Sequence, residues 1–184
     1  MRGWTRPGTA LCLAVDRSGS MGGKPLAASA VAAWKAGRTP EPAARLAFAL
    51  PTPRIAEAIW LASRNAVDAM IDISDGLLAD LGHVCVASGV GAQVELDMLP
   101  ASDVLRDAFD ARSRRVLQAT GGDDYELCFT AAPNQRAAVA EASRKTDVPV
   151  TRIGRIVEGH GATLVTGHDP EEWPKFKKAP DFYA

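Results

Sequence analysis

Apolar residues recur in regular patterns from residue 54 to residue 167 of the 184-residue chain. Positions three and four apart predict amphipathic helices, whereas short alternating or continuous apolar runs predict strands. The predicted helices are RIAEAIWLASR (54–64), Gly76 to Ser88, a weaker segment near 103–118, and QRAAVAEASRK (135–145). The predicted strands are AMIDI (69–73), AQVELDM (92–98), YELCFTAA (125–132), and a closing hairpin of VTRIGRIVEG (150–159) with ATLVTG (162–167).

The first 50 residues lack this regularity and are rich in Ala, Gly, Pro and Arg. TALCLAV (9–15) predicts one strand, and LAASAVAAWKAG (26–37) predicts a short helix that ends at Gly37. RTPEPAARLAFALPTPR (38–54) carries four prolines, which favours an extended linker. We therefore expect a degenerate leader or linker over residues 1–50. Residues 51–184 are expected to form an α+β domain, a mixed sheet with helices packed on it.

Charge and cysteine content exclude several functional classes. The 21 Lys and Arg residues balance 22 Asp and Glu residues, which argues against a nucleic-acid surface or a polybasic membrane patch. No apolar run approaches the roughly 20 residues of a membrane-spanning helix. Cys12, Cys85 and Cys128 show no CxxC spacing, so they fit reduced core thiols in a cytoplasmic protein better than disulfides or a zinc site.

The stretch AMIDISDGLLADLGH (69–83) brings carboxylates into an otherwise apolar segment. Asp72 and Ser74 share one face of the predicted strand, and Asp75 lies at its exit before Gly76. A buried carboxylate must be paired, protonated or bound to a cation. Magnesium prefers carboxylate, water and phosphate oxygens, and a helix N-terminus attracts phosphate, so this corner suits a magnesium polyphosphate.

Less specific interpretations of the same stretch stay open. Ser74 or Asp75 would serve equally well as the N-cap of the following helix, and a capping residue can also be a ligand. Asp80 fits a surface or helix-packing acid better than a ligand. His83 fits a structural histidine better than a metal ligand.

A second acidic corner is TGGDDYEL (120–127), where two glycines precede Asp123 and Asp124 at a strand entrance. The glycines permit unusual backbone angles and the close approach of a ligand. The two acids can make local Asx-turns. Alternatively, they can hold a cationic substrate or a metal-bound phosphate.

The leader contains two misleading motifs. GSMGGKP (19–25) lacks the spacing and the hydroxyl residue of a P-loop and is rejected. Asp16, Ser18 and Ser20 match the D-x-S-x-S metal-adhesion motif of von Willebrand A domains. That fold needs a large doubly wound sheet, whereas a proline-rich segment follows here, so the interpretation remains a minor one.

Four segments together resemble the C-terminal half of the thiamine-monophosphate kinase family in order and spacing. This family belongs to the superfamily of aminoimidazole-ribonucleotide synthetase and selenophosphate synthetase. The resemblance runs from about residue 51 to about residue 159. The four segments are PTPRIAEA (51–58), AMIDISDGLLADLGHVCVASGVGAQVELDMLP (69–100), TGGDDYELCFT (120–130) and VTRIGRIVEG (150–159).

The resemblance implies ATP-dependent phosphorylation of thiamine monophosphate to thiamine diphosphate, with Mg²⁺ as cofactor and no general base. It implies that Asp72 and Asp75 are magnesium ligands and that Ser74 contacts the nucleotide phosphates. It also implies that Asp123 contacts the substrate, whose thiazolium is a cation.

The family has an N-terminal ATP-binding domain and is usually homodimeric. The leader then corresponds to a remnant of that domain, and a separate chain is expected to supply the ATP-binding part. The 184 residues alone are accordingly expected to be inactive as a kinase. The alternatives are a non-catalytic module that binds magnesium phosphate or thiamine phosphate, and another phosphotransferase of the superfamily.

Overall fold

The computed structural model describes residues 5–14, 30, 33–34, 37–101 and 103–166. These residues form one six-stranded mixed sheet with helices on both faces. The strands are β1 (Ala10–Ala14), β2 (Ala69–Asp72), β3 (Gly91–Glu95), β4 (Leu127–Ala131), β5 (Val150–Val157) and β6 (Gly161–Val165). The helices are α1 (Pro42–Ala49), α2 (Ile55–Ser63), α3 (Leu77–Ser88), α4 (Asp103–Ala108), α5 (Ala111–Thr120) and α6 (Arg136–Thr146). The predicted α+β class is confirmed.

The strand order is β2-β4-β1-β5-β3-β6, so β1 lies inside the sheet. It pairs antiparallel with β4 and with β5, and Leu11 is fully buried. The strand predicted in TALCLAV is therefore confirmed. β1 lies in the segment of residues 1–50 that is expected to be a leader or linker, yet it pairs with a neighbouring strand on both of its edges.

The proline-rich segment also departs from expectation, because it contains the helix α1. Pro42 stands in the first turn, where its missing N–H is not needed and its fixed φ suits a helix. The following AARLAFA run then propagates the helix. The helix predicted over residues 26–37, both leader motifs and the end of ATLVTG at Gly167 lie largely or wholly outside the described residues.

The predicted hairpin between β5 and β6 is wrong, because β3 lies between these two strands. β3 pairs antiparallel with β5 and parallel with β6. The turn after β5 passes close to the start of β3, where a Cβ on Gly91 would lie 3.4 Å from the carbonyl oxygen of Glu158.

Two apolar clusters fill the space between the sheet and its helices. Leu77, Leu81 and Cys85 of α3 pack in the first cluster. Leu61 of α2 and Val139 of α6 pack in the second. The three cysteines are buried thiols, as the sequence predicts. Within the described residues, no helix combines the length and the apolar character that crossing a membrane requires.

Candidate functional site

The first acidic corner connects β2 to α3. Ile73 is fully buried directly after β2, which anchors the corner in the core. Asp72 and Asp75 on either side are exposed, and Ser74 is half-buried. Because the apolar anchor and the carboxylates alternate, the backbone is held by packing while the acidic groups reach solvent.

The second acidic corner connects α5 to β4 and is hydrogen-bonded directly to the first. The N–H of Asp123 donates to the carbonyl of Ser74 at 2.7 Å, and the N–H of Tyr125 donates to the carbonyl of Ile73 at 2.8 Å. In return, the N–H of Ile73 donates to the carbonyl of Glu126 at 2.9 Å. The structure therefore brings all four sequence-predicted site residues to two joined corners.

Two glycines allow the corners to approach this closely. A Cβ on Gly122 would lie 2.5 Å from the carbonyl oxygen of Ser74, and one on Gly76 would lie 2.8 Å from that of Thr120. Gly76 also has a φ of 124°, which side chains rarely permit. Each corner thus needs a residue without a side chain where the other corner passes.

Asp80 organises the first corner in a way that the sequence interpretation missed. Its Oδ2 accepts the backbone N–H groups of Ser74, Asp75 and Gly76 at 3.0, 3.1 and 3.1 Å. The residue is only 3% exposed, so it is neither the surface acid nor the simple packing acid that was expected. The helix begins after Gly76 with no side-chain cap, which excludes Ser74 and Asp75 as N-caps.

Burial raises the pKa of Asp80, while the three backbone hydrogen bonds lower it and the charge of Asp75 raises it further. The net direction is upward, which shows that desolvation of the carboxylate outweighs its N–H donors. A nearby cation would favour the charged form of the Asp80 carboxyl group.

In the part of the chain that the structure describes, the residues grouped closely enough to hold a metal ion are Asp75, Asp80 and His83. One ligand atom from each lies within 4.8 Å of the others. Within the described residues, none of the three carboxylates at Asp72, Asp75 and Asp80 forms an ion pair with Lys, Arg or His. Oxygen donors without a protein cation fit Mg²⁺, which usually takes one or two carboxylates together with water and phosphate oxygens.

A buried ion pair lies beside the two corners. The guanidinium of Arg54 donates from Nε to Oε2 of Glu126 at 2.8 Å and from its terminal nitrogen to Oε1 at 3.2 Å. Both side chains are at least nine-tenths buried. This pair supports an apolar cleft of about 460 Å³ lined also by Ile55, Asp72 and Tyr125. The cleft is thus lined by one residue of the first corner, Asp72, and by Tyr125 of the second.

Comparison with known proteins identifies sequence relatives of this chain. The sequence profile of the family described as AIR synthase related protein, C-terminal domain, matches residues 6–167. Thiamine-monophosphate kinase of Salmonella typhimurium is 44% identical over 106 residues, which are 58% of this chain and 32% of the relative. That of Haemophilus influenzae is 40% identical over 111 residues, 60% of this chain and 33% of the relative.

A solved structure agrees in fold. The crystal structure of thiamine-monophosphate kinase from Stenotrophomonas maltophilia superposes with a TM-score of 0.75 at 38% identity. It covers 86% of this chain and 50% of that protein. The chain thus spans about a third of the length of the curated relatives and half of the solved one.

Proposed function

Since the chain belongs to the family of AIR synthase related proteins, whose C-terminal domain it contains, we propose that it provides the C-terminal part of a thiamine-monophosphate kinase. The complete enzyme would transfer the terminal phosphoryl group of ATP to a phosphate oxygen of thiamine monophosphate and release ADP and thiamine diphosphate. Both the relatives' names and the site's acidic character support this assignment.

One observation carries the proposal, namely the hydrogen-bonded contact between the two corners. Ser74 on the first corner accepts the N–H of Asp123 on the second at 2.7 Å. The residues that suit a cation-bridged polyphosphate and the residue that suits the cationic thiamine ring therefore lie on two corners that are hydrogen-bonded to each other. Phosphoryl transfer depends mainly on such positioning and on charge neutralisation, with little covalent work for the protein.

Each residue has a proposed role that follows from its chemistry. Asp72 and Asp75 would hold Mg²⁺ through their exposed carboxylates, and the half-buried Ser74 would contact a nucleotide phosphate. Asp123, also exposed, would face the positive thiazolium of the substrate. We assign no general base, because the accepting phosphate oxygen is already ionised. Bound Mg²⁺ supplies neutralisation of phosphate charge.

The ATP site of the complete enzyme requires more protein than the described residues provide, since the chain spans half of the solved relative. We propose that an ATP-binding domain, on a separate chain or elsewhere in a longer protein, completes the site. A cytoplasmic location is proposed from the three buried thiols. A homodimer remains a prediction from the family resemblance.

Calorimetric titration of the chain with Mg-ATP and with thiamine monophosphate tests the proposal. Asp72→Asn and Asp75→Asn should each weaken Mg-ATP binding by about tenfold, since a lost charged contact is worth roughly 1.5–3 kcal/mol. Asp123→Asn should weaken thiamine monophosphate binding instead. Thermal stability should stay nearly unchanged in all three variants because these carboxylates are exposed.

Asp107→Asn is the matched control, because Asp107 is an exposed acid on α4. It should change neither affinity. If the three site variants lose stability but bind as the control does, the carboxylates are structural and the proposal is wrong.

The alternative is a binding module that holds magnesium phosphate or thiamine phosphate without turnover. It would use the same exposed carboxylates, Asp72, Asp75 and Asp123. ADP release on addition of the complementary ATP-binding domain of a relative would support the enzyme, whereas binding without any ADP release would support the module.

A further inference from the structure

The carboxylate of Asp80 occupies the position in which a helix N-terminus usually holds a phosphate. Three consecutive backbone N–H groups, those of Ser74, Asp75 and Gly76, converge on its Oδ2 at 3.0–3.1 Å. Converging backbone N–H groups of this kind are the usual anion site at the start of a helix. Here the anion that they bind belongs to the protein itself.

This internal anion leaves no donor of the three for an external ligand. Asp80 is 97% buried, so its carboxylate is a fixed part of the corner and is not displaced as a solvent-exposed side chain would be. The sequence interpretation, in which the helix N-terminus binds phosphate directly, therefore does not apply at these three N–H groups. A phosphate must reach the corner by another route.

The remaining groups at the corner attract cations. Asp72 and Asp75 are exposed carboxylates, and one carboxylate oxygen of Asp75 lies within 4.8 Å of one of Asp80. Among the described residues, neither Asp75 nor Asp80 has an ion-pair partner. The corner consequently carries net negative charge on its outer surface and has its positive N–H groups turned inward.

We infer that Asp80 is a positioning residue that makes this corner bind a divalent cation first, and phosphate only through that cation. Its hydrogen bonds fix the backbone of Ser74 and Asp75, and its carboxylate occupies the three N–H donors that would otherwise bind an anion directly. The inference rests on the proposed function for the identity of the phosphate ligand, a nucleotide polyphosphate. It goes beyond that function because it makes Asp80, which does not itself touch the nucleotide, the residue that determines the order in which cation and phosphate bind.

The test removes the internal anion and asks whether an external one replaces it. Inorganic phosphate is titrated calorimetrically in EDTA, without metal, into the chain and into Asp80→Ala. The wild-type chain should show no measurable phosphate binding. The variant should bind phosphate at least about tenfold more tightly, because three vacated N–H donors are offered to an anion. Wild-type binding as tight as that of the variant would overturn the inference.

A second readout is the recovery of cation binding. Asp80→Ala should bind Mg-ATP about tenfold more weakly than wild type, as expected for the loss of a charged group. Formate, a carboxylate small enough for the vacated position, should restore most of that affinity. A purely structural residue would show no such recovery, so a lack of any formate effect would overturn the inference.

Asp110→Ala is the matched control. Asp110 also accepts a backbone N–H at a helix start, that of Ser113 at 3.0 Å, but it lies at the N-terminus of α5 and is exposed. It should not gain phosphate binding. An equal gain in both variants would show a general charge effect and contradict the inference.

Asp80→Asn covers the case in which the alanine variant does not fold. Its amide oxygen still fills the anion position, so the variant should fold, gain no phosphate binding and lose Mg-ATP affinity with its charge. Unchanged Mg-ATP affinity in this variant would overturn the inference. The phosphate titrations contain no nucleotide, thiamine or metal, so they test the role of Asp80 independently of the proposed function. If wild type fails to bind Mg-ATP, that failure overturns the proposed function alone.

Discussion

Replacing Gly122 with alanine tests whether the two acidic corners must remain in contact. The added Cβ would lie 2.5 Å from the carbonyl oxygen of Ser74 and 3.2 Å from the carbonyl carbon of Asp75. The first distance is about 1 Å shorter than an ordinary nonbonded contact. Both atoms belong to backbone, so no flexible side chain can move aside, and the corners themselves must separate.

The expected cost follows from two contributions. Overpacking of this size costs about 1–3 kcal/mol. The hydrogen bond from Asp123 to the carbonyl of Ser74 is weakened as the corners part, which adds up to about 1 kcal/mol. For a chain of this size, a loss of roughly 1–4 kcal/mol lowers the melting temperature by about 2–16 °C. A displacement of about 1 Å should also weaken binding of thiamine monophosphate in the presence of Mg-ATP, by tenfold or more.

Urea denaturation and calorimetry measure both effects, with Gly82→Ala as the matched control. Gly82 lies within α3, and nothing comes within 4 Å of a Cβ built there. Since alanine is a better helix former by up to about 1 kcal/mol, this variant should be more stable than wild type and bind normally. If Gly122→Ala matched wild type in stability and in affinity, the contact between the corners would be unnecessary for folding and for binding, and the reasoning behind the site assignment would be refuted.

Two further predictions concern buried groups. Glu126→Gln should lower the free energy of unfolding by about 3 kcal/mol in urea, because it leaves the Arg54 guanidinium buried beside a neutral amide. Asp97→Asn, which disrupts the more exposed pair with Arg115, should cost less than about 1 kcal/mol, and equal losses would contradict this reasoning. Burial raises the pKa of Cys12 from 9.0 to about 11, against the opposing charge of Arg152, so the thiol stabilises the fold below pH 9 and this contribution is lost as pH rises to about 11. Cys12→Ala should therefore reduce the alkaline loss of stability by up to about 3 kcal/mol relative to wild type, and parallel stability curves from pH 9 to 11 would refute it.

Local elements of this fold could be predicted from periodicity, but strand neighbours could not. The apolar runs identify β2 and α3, because a buried face imposes its period on the sequence. The insertion of β3 between β5 and β6 depends on contacts with residues distant along the chain. No local pattern contains that information, and short strands joined by GHG favour a hairpin. The same limitation concealed the interior position of β1.

In the candidate site, too, features with a local sequence signal could be predicted, and features that depend on distant contacts could not. Asp75 and Asp123 were recognisable because each is an acid beside a glycine at an element boundary. Asp80 was missed, although its position four residues after Gly76 is one helical turn and could have suggested a side chain that reaches back to the loop. Arg54 and Glu126 are 72 residues apart, so only the folded chain reveals their ion pair.

The backbone of the second corner gives an independent reason to regard it as functional. Asp123 and Tyr125 have φ angles of 60° and 52°, in the left-handed region that costs a residue with a side chain about 1 kcal/mol or more. Hydrogen bonds to the carbonyls of Ser74 and Ile73 hold these conformations. Asp adopts this region more readily than most residues, as the exposed Asp147 does at the end of α6, so the angle at Asp123 carries little strain. Glycine would adopt the angle at Tyr125 without strain, and the Tyr125 side chain is exposed and lines the cleft. We therefore expect the strained Tyr125 to contact the ligand of the proposed function.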